Sequence, residues 1–363
     1  MSAYRWLGIC MLALAVSPVV GDLGGAGACT SFCLRADSTV IVGKNFDWFT
    51  GVGLVVVNKR GVSKTALLAP EENPAAWTSR YGSVTFNQVA VGLPFGGINE
   101  AGLVVEVMWL EGTVYPERDE RPAVSALQWI QYLLDRYATV EEAVADSVVR
   151  ISPEATPLHF LACDAGGDVA TLEFLDGEFV CRSGDDIVVP VLTNSTYDES
   201  VEYLRRCAGF GGGEPQVRST RSLDRFVCAA DLLMRYAGSG EPVGYALSVL
   251  DSVASEDQTQ WSIVYDVSGM RVHFRTIDRR GVRTIEVSRM DFGCKTPVRV
   301  TDLGAAPARD PEAHMIDLKP ELSLDLVKRS TRAYVGAGFY STPPTDEILE
   351  YMASYYQTME CRE

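Results

Sequence analysis

The stretch GAGACTSFC, residues 25–33, ends an apolar N-terminal segment and places Ala26, Gly27 and Ala28 directly before Cys29. Small residues at this spacing are typical of the site at which an exporting peptidase cuts. Cleavage after Ala28 would make Cys29 the first residue of the mature chain. Its thiol and a free α-amine would then be attached to the same carbon.

Residues 1–28 are predicted to be a signal peptide that is removed. Arg5 supplies the positive charge, and WLGICMLALAV, residues 6–16, supplies an apolar region that is short for a membrane span. No later segment is apolar for long enough to cross a bilayer. We therefore expect an exported protein, periplasmic or secreted. Residues 29–363 show no repeat and no domain boundary, so we expect them to form a single domain.

The composition argues against several classes of function. The net charge of −16 argues against nucleic-acid binding, because phosphates require clustered Lys and Arg. The Gly-rich stretch 207–216 lacks the strand, helix and acidic residue of a dinucleotide site. The chain has three histidines and no CxxC pair, so we expect neither a metal nor a cofactor. Eight cysteines follow the leader and permit one or two disulfides, whose pairing the spacing leaves open.

The order of predicted elements favours an α+β domain. β-Branched runs separated by Gly, Pro and Asn predict strands up to residue 109, ending in the apolar run Leu103–Trp109, which is typical of a strand covered on both faces. Strands return in two further sections. These are residues 159–181 and 261–289. Helices are predicted after Pro122 and over residues 139–149, 219–236, 243–254 and 345–356. This order suggests helices packed outside layered sheets.

Cys29 has three possible roles. It could be an ordinary half-cystine, or the attachment site of a bacterial lipid anchor, although Ala26 stands where that signal usually has an aliphatic residue. It could also be an N-terminal nucleophile. A free thiol has a pKa of about 8.5, and an α-amine has a pKa of about 7.7–8.0. One residue could then supply both nucleophile and base, with no histidine required.

Four polar residues could complete such a site. VGKNFDWF supplies Lys44 and Asp47 after a strand, VLTNSTY places Asn194 at a strand end, and RSLDRFV places Arg225 early in a helix. Each has an ordinary alternative. Asp47 could be a turn residue, Asn194 could belong to a glycosylation sequon, and Arg225 could lie on a solvated helix face.

Taken in order, Cys29, GKNFDW, GGINEAGL, LTNS and RSLDRF resemble the choloylglycine hydrolase family, which includes penicillin V acylases and bile salt hydrolases. The resemblance implies a four-layer αββα sandwich, the N-terminal-nucleophile (Ntn) hydrolase fold, with residues 29–363 as one catalytic domain. It implies that Cys29 is the nucleophile and that Asp47 orients the α-amine. Asn194 would lend its side-chain amide to the oxyanion hole, and Arg225 would steady the charged site.

The sequence departs from the family pattern at two positions. Lys44 stands where the family usually has arginine, and lysine does not reproduce the planar bidentate fork. Trp109 stands where bile salt hydrolases typically have asparagine, but its backbone N–H could still serve the oxyanion hole. Trp48 and Trp109 would form a flat wall for an aromatic or fatty acyl group, unless they are plain core packing. This pattern looks most like Gram-negative penicillin V acylases, some of which deacylate N-acyl homoserine lactones.

We therefore expect an exported hydrolase of linear amides, matured by signal peptidase or autoproteolysis and acting on a small N-acyl amide such as penicillin V or an acyl homoserine lactone. A bile salt hydrolase and a lipoprotein binding domain anchored through Cys29 are the alternatives. A papain-like Cys–His site using His159 or His273 is a third. Family relatives are often homotetramers, with residues 197–219 as a possible assembly arm. No role is assigned to Cys33.

Overall fold

The computed structural model describes residues 28–36, 38–238, 240–305, 311–340 and 342–362. The predicted leader, apart from Ala28, lies outside the described residues. No helix within the described ranges is long and apolar enough to cross a membrane.

The described residues form seven α-helices and twenty β-strands. The helices are α1 Ala126–Arg136, α2 Val140–Val144, α3 Tyr197–Arg206, α4 Ser222–Arg235, α5 Pro242–Ser252, α6 Pro320–Gly336 and α7 Asp346–Ser354. The first ten strands are β1 Thr30–Ala36, β2 Thr39–Asp47, β3 Leu54–Asn58, β4 Val62–Thr65, β5 Ala76–Thr78, β6 Ser83–Asn87, β7 Pro94–Asn99, β8 Val104–Trp109, β9 Ala123–Val124 and β10 Arg150–Ile151. The others are β11 Leu158–Cys163, β12 Val169–Leu175, β13 Glu178–Ser183, β14 Val191–Leu192, β15 Thr259–Asp266, β16 Arg271–Thr276, β17 Arg279–Glu286, β18 Arg299–Asp302, β19 Ile316–Asp317 and β20 Glu360–Cys361.

Two large antiparallel sheets form the centre of the molecule. One has six strands in the order β14-β1-β2-β15-β16-β17, and the other has nine in the order β13-β12-β11-β8-β7-β6-β3-β18-β19. Helices α3, α4 and α5 cover the outer face of the six-stranded sheet. Helices α1, α2, α6 and α7 cover the nine-stranded sheet. The predicted four-layer αββα sandwich is therefore confirmed.

Strand β8 shows how the sequence pattern builds these layers. Val104 and Met108 pack into the core between the two sheets, whereas Val105 and Val107 pack against the helix layer. Successive side chains on a strand point to opposite faces, so a strand covered on both sides needs apolar residues throughout. The prediction from Leu103–Trp109 is confirmed in this respect.

The predicted helices are present, but two further helices were missed. Helix α3 follows Thr196, whose side chain caps it, and buries Tyr197, Val201 and Leu204 at helical spacing. The stretch TNSTY, at the start of this helix, has the composition of a turn, so the helix was not predicted. Helix α6 begins at Pro320, and its buried positions include small polar serines that weaken the apolar pattern.

Some predicted bounds were also wrong. Helix α2 ends at Val144 rather than 149, and the strand in VVPVLTNSTY is only Val191–Leu192. One disulfide, Cys294–Cys361, joins the C-terminal strand to the loop before β18 and lies within the expected number. The spacing of the cysteines could not have given this pairing, because it joins segments brought together only by the fold.

Glycine at position 43 is required by the β1–β2 pairing. Gly43 lies opposite Phe32, and a Cβ at position 43 would lie 2.3 Å from the Phe32 ring. We expect Gly43→Ala to lower the free energy of unfolding by about 1–3 kcal/mol, because the buried ring has no space to move. Gly112→Ala is the matched control, since a Cβ there meets nothing within 4 Å. It should change stability by less than about 0.5 kcal/mol in denaturant titrations, and equal losses in both variants would contradict this account.

Candidate active site

Cys29 lies immediately before β1, at the edge of the core between the two sheets. Strand β1 pairs with β2 so that Thr30 is opposite Asn45, which brings Cys29 next to the end of β2. Its Sγ lies 3.8 Å from the Asp47 carbonyl oxygen. Burial raises the pKa of the Cys29 thiol, and the positive charge of Lys44 partly opposes this shift.

Asp47 presents one carboxylate oxygen without a protein partner. Its Oδ1 accepts a hydrogen bond from the Thr259 hydroxyl, whereas its Oδ2 is buried and has no hydrogen-bond partner among the described residues. Burial raises the pKa of Asp47 to about 6, although the Thr259 hydrogen bond and the charges of Arg225 and Lys44 act in the other direction. A buried acceptor of this kind is costly unless a donor meets it.

Arg225 connects the start of β1 to the turn after β14. Its Nη1 donates to the Cys29 carbonyl at 2.5 Å and to Thr30 Oγ1 at 2.7 Å, and its Nη2 donates to Asn194 Oδ1 at 2.8 Å. Its Nε donates to the Thr220 carbonyl at 3.0 Å. The side chain is 2% exposed, so the alternative of a solvated helix face is wrong. Burial lowers the pKa of Arg225, and the charges of Asp47 and Cys29 oppose that shift.

Asn194 is held at both ends of its amide group. Arg225 holds the oxygen, and the Nδ2 donates to the Trp109 carbonyl at 2.8 Å. An amide nitrogen has two hydrogens, so one donor of Asn194 remains after this bond. The carboxamide thus has a fixed orientation, which a surface glycosylation site would not require.

The backbone N–H and carbonyl of Trp109 point toward the same edge of β8, the one that faces away from β11. The next residue, Leu110, donates its N–H to the Pro157 carbonyl, at the edge facing β11. Backbone groups of successive strand residues alternate between the two edges, so the Trp109 N–H points to the opposite edge. That is also the edge at which the Trp109 carbonyl accepts the Asn194 amide. The two predicted oxyanion donors therefore lie side by side.

Lys44 belongs to a buried polar cluster between the sheets. Its Nζ donates to the Val107 carbonyl and lies 3.8 Å from Glu106 Oε2. Tyr265 donates its hydroxyl to Glu106 Oε1 at 2.5 Å. Burial raises the pKa of Glu106 to about 7, with Lys44 and the Tyr265 hydrogen bond acting in the other direction. Gly96 makes room for this carboxylate, since a Cβ there would lie 2.2 Å from Glu106 Oε1.

Glu106 is a site residue that the sequence analysis missed. It is the one acidic residue in the run Leu103–Trp109, in a strand predicted to be covered on both faces. Buried carboxylates are rare unless they are paired, so this position already indicated a cationic or hydroxyl partner. Its partners come from β2 and β15, and only the folded sheets bring them together.

An apolar cavity of about 390 Å³ opens beside Cys29. Trp48 and Trp109 form part of its wall with ring centroids 5.9 Å apart, and Phe339 lies 5.8 Å from Trp48. The segment between β8 and β9 contributes Arg118. Both tryptophans line the cavity, so core packing does not describe their whole environment. The cavity also has charged lining residues, which are Glu71, Glu72, Arg118 and Glu154.

The histidines do not support a Cys–His site. His159 lies between Glu173 and the Thr193 carbonyl, with contacts of 3.1 and 2.8 Å to its two ring nitrogens. His273 contacts Thr284 on β17. Among the described residues no group of three His, Cys, Asp or Glu side chains could hold a metal ion. The arrangement instead brings Asp47, Asn194 and Arg225 together around Cys29, which lines the cavity.

The chain is similar to several known proteins. The family model for linear amide C–N hydrolases of the choloylglycine hydrolase family matches residues 29–231 and begins at Cys29 itself. The chain is 26% identical over 263 residues to the penicillin V acylase of Pectobacterium atrosepticum, covering 60% of this chain and 69% of the relative.

Solved structures give the same relationship. The penicillin V acylase from Agrobacterium tumefaciens matches with a TM-score of 0.70 and 31% identity, covering 80% of this chain and 98% of that protein. A conjugated bile acid hydrolase from Clostridium perfringens shares the fold with a TM-score of 0.64 at 17% identity, covering 75% of this chain and 96% of that protein. The chain therefore belongs to the choloylglycine hydrolase family of linear amide C–N hydrolases.

Proposed function

We propose that residues 29–363 form an exported acylase with Cys29 as N-terminal nucleophile, acting on N-acyl amides whose acyl group is aromatic or long and apolar. Penicillin V and N-acyl homoserine lactones are the substrates we favour. One observation carries the proposal: Cys29 lies in the wall of an apolar cavity and contacts Asp47, whose buried Oδ2 has no partner among the described residues. The α-amine released by cleavage after Ala28 would donate to that oxygen.

In the proposed reaction the Cys29 thiol gives its proton to its own α-amine, and the sulfur attacks the substrate carbonyl. Asp47 holds the amine in position through Oδ2. The amine then protonates the departing nitrogen, which leaves an acyl thioester on Cys29 and a free amine product. A water molecule, deprotonated by the same α-amine, attacks the thioester and releases the carboxylic acid.

The tetrahedral intermediate needs hydrogen-bond donors for its oxyanion. The Nδ2 of Asn194 and the N–H of Trp109 lie at one edge of β8, and Arg225 connects Asn194 to the Cys29 carbonyl at the start of β1. Donors fixed before the reaction stabilise developing charge without reorganising, and removal of one typically costs about 10²–10³-fold in turnover. Arg225 holds the Asn194 oxygen, which fixes the direction of its N–H groups.

The cavity supports the choice of acyl group. A volume of about 390 Å³ falls within the range of small-molecule sites, and its wall of Trp48, Trp109 and Phe339 offers aromatic faces. A phenoxyacetyl group or an extended alkyl chain would stack on such a wall. Two of the similar proteins are penicillin V acylases, which supports penicillin V as one substrate.

Export and assembly are part of the proposal. The disulfide Cys294–Cys361 supports passage through an oxidising compartment, where such bonds persist. The homotetramer implied by the family resemblance would involve residues 197–219, of which residues 208–209 and 211–219 are exposed. Size-exclusion chromatography with light scattering would measure the mass of the assembly.

The first prediction tests the nucleophile. We expect Cys29→Ser to lower kcat/KM by roughly 10³-fold or more with an unchanged thermal midpoint, because a hydroxyl is a far weaker nucleophile. Penicillin V, dodecanoyl homoserine lactone and glycocholate should be compared with both proteins. We expect the first two to be hydrolysed at least about tenfold more efficiently than glycocholate. Activity that survives in Cys29→Ser would reject the assignment.

Intact-mass measurement of the wild-type protein separates catalysis from lipid anchoring. A mature chain that begins at an unmodified Cys29 supports the proposed base. A diacylglycerol adduct and an acylated amine would remove that base, and the lipoprotein alternative would then replace the acylase.

The second prediction distinguishes the loss of an oxyanion donor from the loss of a side chain of the cavity wall. Asn194→Ala should reduce kcat by about 10²–10³-fold, since a side-chain donor is lost. Trp109→Ala retains its backbone N–H, so its main effect should be a higher KM for aromatic acyl substrates. Steady-state kinetics of both variants with penicillin V would test this difference. A loss of kcat in Trp109→Ala equal to that in Asn194→Ala would contradict the backbone assignment.

The third prediction concerns Glu106 and the reactivity of the thiol. Above about pH 7 an ionised Glu106 offsets the charge of Lys44, and glutamine at this position would not. The charge of Lys44, which lowers the pKa of Cys29, would then no longer be opposed by a nearby negative charge. We expect the pH profile of Cys29 alkylation by iodoacetamide in Glu106→Gln to move down by roughly half to one pH unit. Near pH 6, where wild-type Glu106 is protonated, the alkylation rates of the wild-type and Glu106→Gln proteins should converge.

Tyr265→Phe is the matched control for this prediction. It keeps the carboxyl group of Glu106 but removes the hydroxyl that stabilises the ionised form, so the pKa of Glu106 should rise further. Its profile should therefore depart from that of the wild type just above pH 7 and rejoin it at higher pH. An unchanged profile in a folded Glu106→Gln protein would show that the carboxylate does not influence the nucleophile.

A further inference from the structure

Two cysteines outside the catalytic cluster meet between the sheets. Cys33 lies on β1 in the six-stranded sheet, and Cys163 is the last residue of β11 in the nine-stranded sheet. Their sulfur atoms are 3.1 Å apart. Both residues belong to the core between the sheets, with exposures of 1% and 0%.

We infer that Cys33 and Cys163 form a disulfide that links the two central sheets of the mature protein. The sulfur atoms need to approach by about 1 Å to reach the bond length of about 2.05 Å. The reaction forms one S–S bond and releases two protons and two electrons. A disulfide-bearing oxidant, such as a protein or glutathione disulfide, accepts the electrons and is reduced to two thiols.

The chain meets such an oxidant, because it already contains the disulfide Cys294–Cys361. Since Cys33 and Cys163 are fully enclosed once the sheets have packed, their bond forms while the sheets are closing. Thiol exchange requires access to the sulfur, so the finished bond is protected from reductants in the same way.

The link does not compete with the proposed nucleophile. Cys29 and Cys33 are four residues apart on one strand segment, which places them about 13 Å from each other along its axis. A disulfide requires Cα atoms within about 7 Å, so Cys29 does not bond to Cys33. The proposed link instead joins β1, which follows Cys29, to β11, the neighbour of β8 and Trp109. The proposed disulfide would hold the two sheets at a fixed separation, and these sheets carry the two sides of the candidate site.

The test counts thiols in the full chain, produced with its own leader and purified without reductant. The mature sequence contains six cysteines outside the Cys294–Cys361 bond. If Cys33 and Cys163 are linked, alkylation in denaturant labels four of these six, and tryptic peptides 29–35 and 151–182 are joined until reduction. Labelling of all six, with no joined peptide, would overturn the inference.

Two variants show which cysteine of peptide 151–182 is linked, because this peptide contains Cys181 as well as Cys163. In Cys163→Ser the proposed link is lost, so all five remaining thiols should be labelled. In the control Cys181→Ser the link remains, so three thiols should be labelled. Five labelled thiols in Cys181→Ser, or a joined peptide that persists in Cys163→Ser, would reject the pairing. The wild-type count decides the question even if either variant fails to fold.

Discussion

The candidate site depends on the hydrogen bonds that the buried guanidinium of Arg225 makes. A cation removed from water is costly unless charge and hydrogen-bond partners surround it. Arg225 finds these partners on separate segments, namely the Cys29 carbonyl and the Asn194 amide oxygen, with Asp47 opposing the loss of its charge. Helix α4 holds the guanidinium in place. The start of β1 and the turn after β14 therefore pack where they complete the hydrogen bonds of the guanidinium. The orientation of the Asn194 amide follows from this requirement.

A second constraint lies between the sheets, where Lys44 meets Glu106. An ammonium offers a compact charge rather than a planar fork, and here one Nζ serves both the Val107 carbonyl and the Glu106 carboxylate. The glycine at position 96 leaves the volume that the carboxylate occupies. The charge of Lys44 is thus met by the Glu106 carboxylate, which also accepts a hydrogen bond from the Tyr265 hydroxyl. A buried pair of this kind contributes little net stability by itself, but the loss of one partner leaves an unpaired charge.

The sequence predicted the layers and the residues with local signals, because strands, caps and a cysteine after small residues are visible in short windows. Cys29, Asp47, Asn194 and Arg225 belong to such windows, and the fold brings all four together. Other partners have no local signal. Thr259 and Tyr265 lie more than 150 residues from the carboxylates they contact, and Phe339 reaches the cavity wall from the segment after α6. Helix α3 was missed because its cap resembles a turn, and α6 because serines interrupt its buried face.

The state of Asp47 connects the proposed cleavage to the chemistry. With Ala28 still attached, the nitrogen of Cys29 is an uncharged amide, and burial holds the pKa of Asp47 at about 6. Cleavage would convert that nitrogen into an amine with a pKa of about 7.7–8.0, which becomes positively charged when it accepts the thiol proton. A positive charge this close favours the ionised carboxylate and lowers its pKa, while the carboxylate raises that of the ammonium. Removal of the leader would therefore create the base and also fix the charge that orients it. The buried Oδ2 of Asp47, which has no partner among the described residues, is the acceptor that this coupling would use.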